Sequence, residues 1–338
     1  MRTSYREHGG MLLPLCRRFG GRPSNWMDLS TGINPFAYPF EAPDQAAWTR
    51  LPEPDQLDAL GVAAASAYRA GPDAAVVVGA GSQALIQAIP AALPDVSSVG
   101  VIGFGYREHE RVWQAAGVRV TTLTWPLDSA DCQLPDVVIV TNPNNPDGQR
   151  FKRDELLRLS RRLAERSGCL VVDEAFADTD ERESVVASAG ERGLLVLRSL
   201  GKFYGLAGIR IGFGLTDREL GARLRELLGP WPVAGPAVAV AHQALADRTW
   251  RERTQARLRH AAHDQRETLL RYRLEWVGGT TLFTLVSTPN AAKVYQGLAE
   301  QWIAVRQFDV RPTWLRIGLP GDAAERSRLD RALAKICA

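Results

Sequence analysis

Four cysteines in 338 residues are too few and too scattered to staple a fold. Cys16, Cys132, Cys169 and Cys337 form no C-x-x-C pair, and none stands at zinc-ligand spacing from a histidine. A disulfide scaffold and a zinc ribbon are thereby excluded. Cys169, in the apolar run Cys169-Leu170-Val171-Val172, reads as a buried free thiol in a reduced, cytoplasmic compartment. No stretch approaches the roughly 20 apolar residues of a membrane span. The opening Met1-Arg2-Thr3-Ser4-Tyr5-Arg6-Glu7-His8 lacks the apolar segment of a secretory signal. Charge of one sign is scarce too: the net charge is +3, and arginines alternate with acids along helical patterns. Without a basic tract, neither nucleic acid nor a membrane surface is an expected partner. Internal repeats and low-complexity segments are also missing.

What the chain does have is alternation. Ala75-Val76-Val77-Val78 precedes a helical stretch from Ser82 to Leu93, and Val99-Gly100-Val101-Ile102 precedes one from Glu108 to Ala116. Val137-Val138-Ile139-Val140 leads through an Asn/Pro/Gly loop to a helix from Asp154 to Arg166. Leu170-Val171-Val172 ends at Asp173, and Leu194 to Leu197 ends near Ser199. Short continuous apolar runs suit strands covered on both faces, so an α/β fold with a mostly parallel sheet and helices on both faces is expected. Residues 1–30 read as an arm with little periodicity, 31–240 as a large domain and 241–338 as a smaller α+β domain. The boundary falls in a long helical pattern from Pro236 to Tyr272 that breaks around Asp247.

In open α/β sheets, ligands bind beyond the carboxyl ends of the strands. Five motifs sit there. Gly79-Ala80-Gly81-Ser82-Gln83 is either a tight connection or a helix start that offers N–H groups to an anion. Tyr106, in Phe104-Gly105-Tyr106-Arg107-Glu108-His109, is either a core tyrosine or a ring stacked on a planar ligand, and His109 reads as a helix-surface residue. Thr141-Asn142-Pro143-Asn144-Asn145-Pro146-Asp147-Gly148 is either a polar turn or a loop that points Asn145 at a phenolate oxygen. Asp173, in Asp173-Glu174-Ala175-Phe176, suits a helix cap and the partner of a protonated ring nitrogen equally well. Last, Ser199-Leu200-Gly201-Lys202 leads through a glycine-rich stretch to Arg210. An amine for an imine, with a hydroxyl and a guanidinium for phosphate, suits pyridoxal 5'-phosphate.

N-P-N-N-P-x-G, D-E-A and S-x-x-K…R, in that order from about Asp28 to Pro320, resemble the fold-type-I pyridoxal phosphate enzymes of the class I/II aminotransferase superfamily. The resemblance implies that Lys202 joins the cofactor aldehyde and later moves protons. It implies that Asp173 pairs with the pyridine nitrogen, that Asn145 binds the ring hydroxyl and that Tyr106 stacks. Gly81, Ser82, Gln83, Ser199 and Arg210 would hold the phosphate, and Arg316, in Trp314-Leu315-Arg316-Ile317-Gly318, the substrate carboxylate. It also implies a homodimer. Two positions depart from the pattern: Phe176 and Leu51 stand where such enzymes often carry tyrosines.

Within the superfamily, His8-Gly9-Gly10, Ser30-Thr31-Gly32-Ile33-Asn34-Pro35 and D-E-A-F resemble the threonine-phosphate decarboxylases of the cobalamin pathway. That likeness implies decarboxylation of L-threonine O-3-phosphate, with His8, Gly9, Gly32, Asn145, Arg306 and Arg316 at the substrate. A histidinol-phosphate-type aminotransferase stays open, because the same residues serve both reactions. A non-catalytic regulator on this fold is a third reading, for which the short arm leaves no room for a DNA-binding segment.

Overall fold

The computed structural model describes residues 9–127 and 133–337. They form two compact units: Ala37–Glu252, and Arg253 onward together with the N-terminal segment as far as Phe36.

The N-terminal segment contains helix α1 (Leu12–Phe19) and a short strand β1 (Met27–Asp28). A helix in the arm was not expected. Leu12, Leu15, Cys16 and Phe19 recur at helical spacing and lie against Trp26, Ala299 and Ala304 of the same unit.

Unit 37–252 begins with α2 (Gln45–Thr49) and α3 (Pro54–Tyr68). Pro54 opens α3, and Glu53 and Gln56 cap it reciprocally. Then come β2 (Ala75–Gly79), α4 (Gly81–Ala92), β3 (Ser98–Ile102), α5 (Glu108–Ala115), β4 (Arg119–Leu123), β5 (Val137–Thr141) and α6 (Arg153–Ala164). The unit continues with β6 (Cys169–Asp173), β7 (Leu194–Ser199), β8 (Gly212–Thr216), α7 (Arg218–Leu228) and α8 (Gly235–Ala246). Asp247 ends α8, and its Oδ1 accepts from Trp250 N–H at 2.8 Å, starting α9 (Arg248–Arg271) at the expected break.

The seven strands of this unit lie in the order β2-β8-β7-β6-β5-β3-β4. Strand β8 runs against both neighbours, and the other pairings are parallel. Strands β5, β6, β7 and β8 are buried along their whole length, which explains the apolar runs of β5, β6 and β7. Leu85, Ile86 and Ile89 of α4, Trp113 of α5, and Leu220 and Leu224 of α7 pack on one face of the sheet. Chain order reverses between β3 and β5, so a crevice is expected at their carboxyl ends.

The other unit adds β9 (Glu275–Thr280), β10 (Phe283–Ser287), α10 (Ala291–Glu300), β11 (Ile303–Ala304), β12 (Arg306–Gln307), β13 (Trp314–Gly318) and α11 (Ala323–Cys337). Its antiparallel sheet runs β12-β13-β10-β9, and β11 pairs with β1. Leu269, Val286, Leu298, Leu315 and Leu333 fill its core. Cys169 is buried, and burial pushes its thiol up to about 12, so it packs as a small apolar side chain. Among the described residues, no helix is long and apolar enough to cross a membrane.

Candidate active site

The motifs of unit 37–252 meet because of strand register. Asn142 N–H donates to the Asp173 carbonyl at 2.8 Å, and Glu174 N–H to the Leu197 carbonyl at 2.9 Å. The tips of β5, β6 and β7 are thus locked side by side. At the switch point, Asn144 Nδ2 donates to the Phe104 carbonyl at 3.0 Å, joining the loop after β5 to the loop after β3. Asp147 Oδ1 accepts from Asn144 Nδ2 and Gln149 N–H, closing the turn around half-buried Asn145.

Asp173 is 3 % exposed and meets His109, which is 1 % exposed, at 2.9 Å between Oδ2 and Nε2. A carboxylate can only accept, so Nε2 carries the proton of this bond. Asp173 Oδ1 accepts from Ala175 N–H at 3.1 Å. The expectation of a helix-surface His109 is therefore corrected: the first turn of α5 turns this ring inward, onto the acid at the end of β6. Its spacing from Tyr106, one helical turn, was the available signal. The Tyr106 ring stands edge-on to His109, and its hydroxyl donates to Gln83 Oε1 at 3.0 Å. Burial, with Glu108 and Asp173 nearby, pushes the Tyr106 phenol up to about 12, so it stays neutral.

Gly212 pairs with both Gly79 and Ser199, because β8 is inserted antiparallel between β2 and β7. That register brings the start of α4, the end of β7 and Arg210 into one corner. A Cβ on Gly212 would stand 2.2 Å from Ser82 N, so only glycine permits the approach. Gly81 has φ of +74°, and a Cβ there would lie 2.6 Å from Arg210 Nη2. Arg210 is itself in the left-handed region, at φ of 55°. A guanidinium aimed at the positive end of a helix is unfavourable unless an anion lies between them. Together with the Ser199 hydroxyl, which accepts from Gly201 N–H at 3.2 Å, this corner fits a phosphate group.

Lys202 follows in the loop after β7, half-buried, with Nζ 5.6 Å from the centre of the Phe176 ring. Phe176 is buried and supplies an apolar wall where a tyrosine was the common alternative.

In the other unit, Ser30 is a hub. Gly10 N–H donates to its hydroxyl at 2.8 Å, Arg316 Nη2 donates to its carbonyl at 2.6 Å, and its own hydroxyl donates to Asp28 Oδ1 at 2.5 Å. A Cβ on Gly9 would stand 2.2 Å from the Ser30 carbonyl oxygen. Gly32, two residues on, is buried. Arg316 is buried and pairs in register with Arg306 on the neighbouring strand. Burial, then Arg306, pulls the Arg316 guanidinium down to about 10, with Asp28 opposing. Adjacent guanidiniums of this kind favour an anionic ligand. Gly9, Gly32, Arg306 and Arg316 thus gather around one segment, whereas His8 lies outside the described residues. The organising role of Ser30 had not been read from the sequence.

The chain belongs to the aminotransferase class I and II family, whose profile matches residues 24–336. It is 43 % identical over 327 residues to the threonine-phosphate decarboxylase of Pseudomonas aeruginosa, covering 97 % of each chain. It is 40 % identical over 332 residues to the threonine-phosphate decarboxylase of a Sinorhizobium species, covering 97 % of this chain and 98 % of that one. Its fold is similar to that of the histidinol-phosphate aminotransferase from Sinorhizobium meliloti solved in complex with pyridoxal-5'-phosphate. That comparison has a TM-score of 0.79 at 20 % identity and covers 97 % of this chain and 94 % of that chain.

Proposed function

We propose that this protein is a pyridoxal 5'-phosphate-dependent carboxy-lyase acting on L-threonine O-3-phosphate. The products are carbon dioxide and (R)-1-aminopropan-2-ol O-2-phosphate, a step of cobalamin biosynthesis. The near full-length identity to two threonine-phosphate decarboxylases carries this reading.

When bound, the cofactor supplies a conjugated ring that takes up the electron pair left as the bond from Cα to the carboxylate breaks. The remaining work falls to the chain. Lys202 provides the amine that holds the aldehyde, and it returns a proton to Cα. Asp173, oriented by His109, keeps the ring nitrogen protonated. The phosphate takes the corner of Gly81, Ser82, Gln83, Ser199 and Arg210, where a Cβ at Gly81 would intrude. Tyr106, anchored through Gln83, would lie along the ring, and Asn145 would meet the ring hydroxyl. Arg316 and Arg306, beside Gly9 and Gly32, would bind the substrate anion, a role the resemblance also gives to Asn145 and His8. Phe176 would present an apolar ring to the Lys202 amine.

A cytoplasmic homodimer belongs to the same reading. Phe40, Trp48 and Leu51 are exposed apolar side chains close together in sequence, of the kind a second copy covers.

Purified holoenzyme given O-phospho-L-threonine releases carbon dioxide without any oxo acid on this account. Oxoglutarate-dependent glutamate formation in place of carbon dioxide release would assign the site to transamination.

A further inference from the structure

The D-E-A segment carries a second acid that the proposed chemistry does not use. Glu174 is fully buried, and its Oε2 lies 2.9 Å from a nitrogen of Arg198, also fully buried, one residue before Ser199. Neighbouring residues of a strand point to opposite faces. Asp173 pairs in register with Leu197, so Asp173 and Ser199 share one face, and the Glu174–Arg198 pair lies on the other. The ion pair therefore ties the tips of β6 and β7 from behind the site.

The surroundings fix this pair closely. Ser184 Oγ donates to Glu174 Oε2 at 2.6 Å and accepts from Arg198 Nη2 at 2.9 Å, and Val185 N–H donates to Glu174 Oε1 at 2.8 Å. Asp178 and Glu181 lie 3.5 and 3.6 Å from Arg198 Nη1, and the guanidinium carbon is 4.8 Å from the centre of the Tyr68 ring. Arg251 meets Asp178 and Glu181 from α9. Burial pushes the Glu174 and Asp178 carboxyls up, and Arg198 opposes it in both. A buried ion pair gains little stability over a well-packed apolar pair, because desolvation offsets the attraction. What it adds is a fixed distance between two strands.

We propose that Arg198 is a positioning residue: through Glu174 it sets the spacing of the β6 and β7 tips, and with it the distance from Asp173 to Lys202. The inference rests on the proposed role of that site.

The test uses holoenzyme preparations of wild type, Arg198→Met, Arg198→Lys, Glu174→Gln, the double variant Arg198→Met/Glu174→Gln, and Arg251→Met. The readouts are kcat, KM, Tm and the pH dependence of the visible absorbance of the lysine-bound cofactor. Arg198→Met and Glu174→Gln are expected to lose ~10- to 100-fold in kcat with KM nearly unchanged, the scale of a misplaced reacting group. Their absorbance profile should shift along the pH axis. The double variant should be no slower than the slower single variant, and Arg198→Lys should recover part of the loss. Arg251→Met, which touches the cluster but not Glu174, should lose Tm while keeping wild-type kcat. If Arg198→Met does not fold, Glu174→Gln and Arg198→Lys carry the same comparison. Wild-type kcat and absorbance in Glu174→Gln and Arg198→Lys would overturn the proposal, as would an equal kcat loss in Arg251→Met. Wild type that neither binds pyridoxal phosphate nor releases carbon dioxide would instead remove the reading of the site itself, and this inference with it.

Discussion

His109 Nε2 lies 2.9 Å from Asp173 Oδ2, and both side chains are closed off from solvent. Replacing His109 by Phe keeps a ring in the space but leaves a buried carboxylate oxygen without its donor. The lost bond is worth about 1–3 kcal/mol, or roughly 5- to 150-fold in rate if the loss falls on the transition state. We expect kcat to fall within that range and KM for phosphothreonine to change little. Steady-state kinetics on the His109→Phe holoenzyme checks this, and an unchanged kcat would remove His109 from the machinery.

Gly81 is held where any Cβ meets the Arg210 guanidinium, and at a φ that L side chains avoid. Gly81→Ala is therefore expected to displace Arg210 and weaken cofactor binding by at least ~10-fold, with the loss of one charge-assisted phosphate contact. Titrating apoenzyme with pyridoxal 5'-phosphate measures it. A variant that binds the cofactor as wild type does would show that the corner serves another purpose.

Arg316 carries a pH signature. Burial, with Arg306 beside it, holds its guanidinium down at about 10, well below the ordinary value. A base with a depressed pKa is charged below that pH and loses its proton as pH rises through it. Affinity for the anionic substrate should therefore be flat up to pH 9 or so and decline as pH climbs through about 10. Profiles of kcat/KM against pH for wild type and Arg316→Lys check this. The lysine variant should bind more weakly throughout, because it lacks the fork that reaches both Ser30 and a carboxylate. A KM independent of pH across this range would show that the Arg316 guanidinium keeps its charge there, and an Arg316→Lys variant with wild-type kcat/KM would exclude Arg316 from substrate binding.

Much of this architecture was legible in the chain. Val137–Thr141 and Cys169–Asp173 are buried at every position, so their apolar runs announced strands, and the motifs followed at their ends. The break at Asp247 was legible because the residue that interrupts the helical pattern also caps the next helix. Strand β4 was not, since Arg119–Leu123 lies at the sheet edge and its half-exposed Arg-Val-Thr-Thr-Leu has no apolar run. Strand β8 hid behind its glycines, of which Gly212 is there for the close approach to Ser82 rather than for strand propensity. His109 and Arg198 were hidden for another reason. Each is a polar residue whose burial depends on a partner far away in sequence, Asp173 for one and Glu174 for the other. One-dimensional patterns do not record such pairs.

The Lys202 amine is the group to which the cofactor aldehyde would be joined. Borohydride reduction of the holoenzyme followed by peptide mass spectrometry tests it directly. A pyridoxyl group is predicted on the peptide that contains Lys202, absent when Lys202→Ala is treated the same way. A label on any other lysine, or no label on a protein that still decarboxylates phosphothreonine, would contradict it.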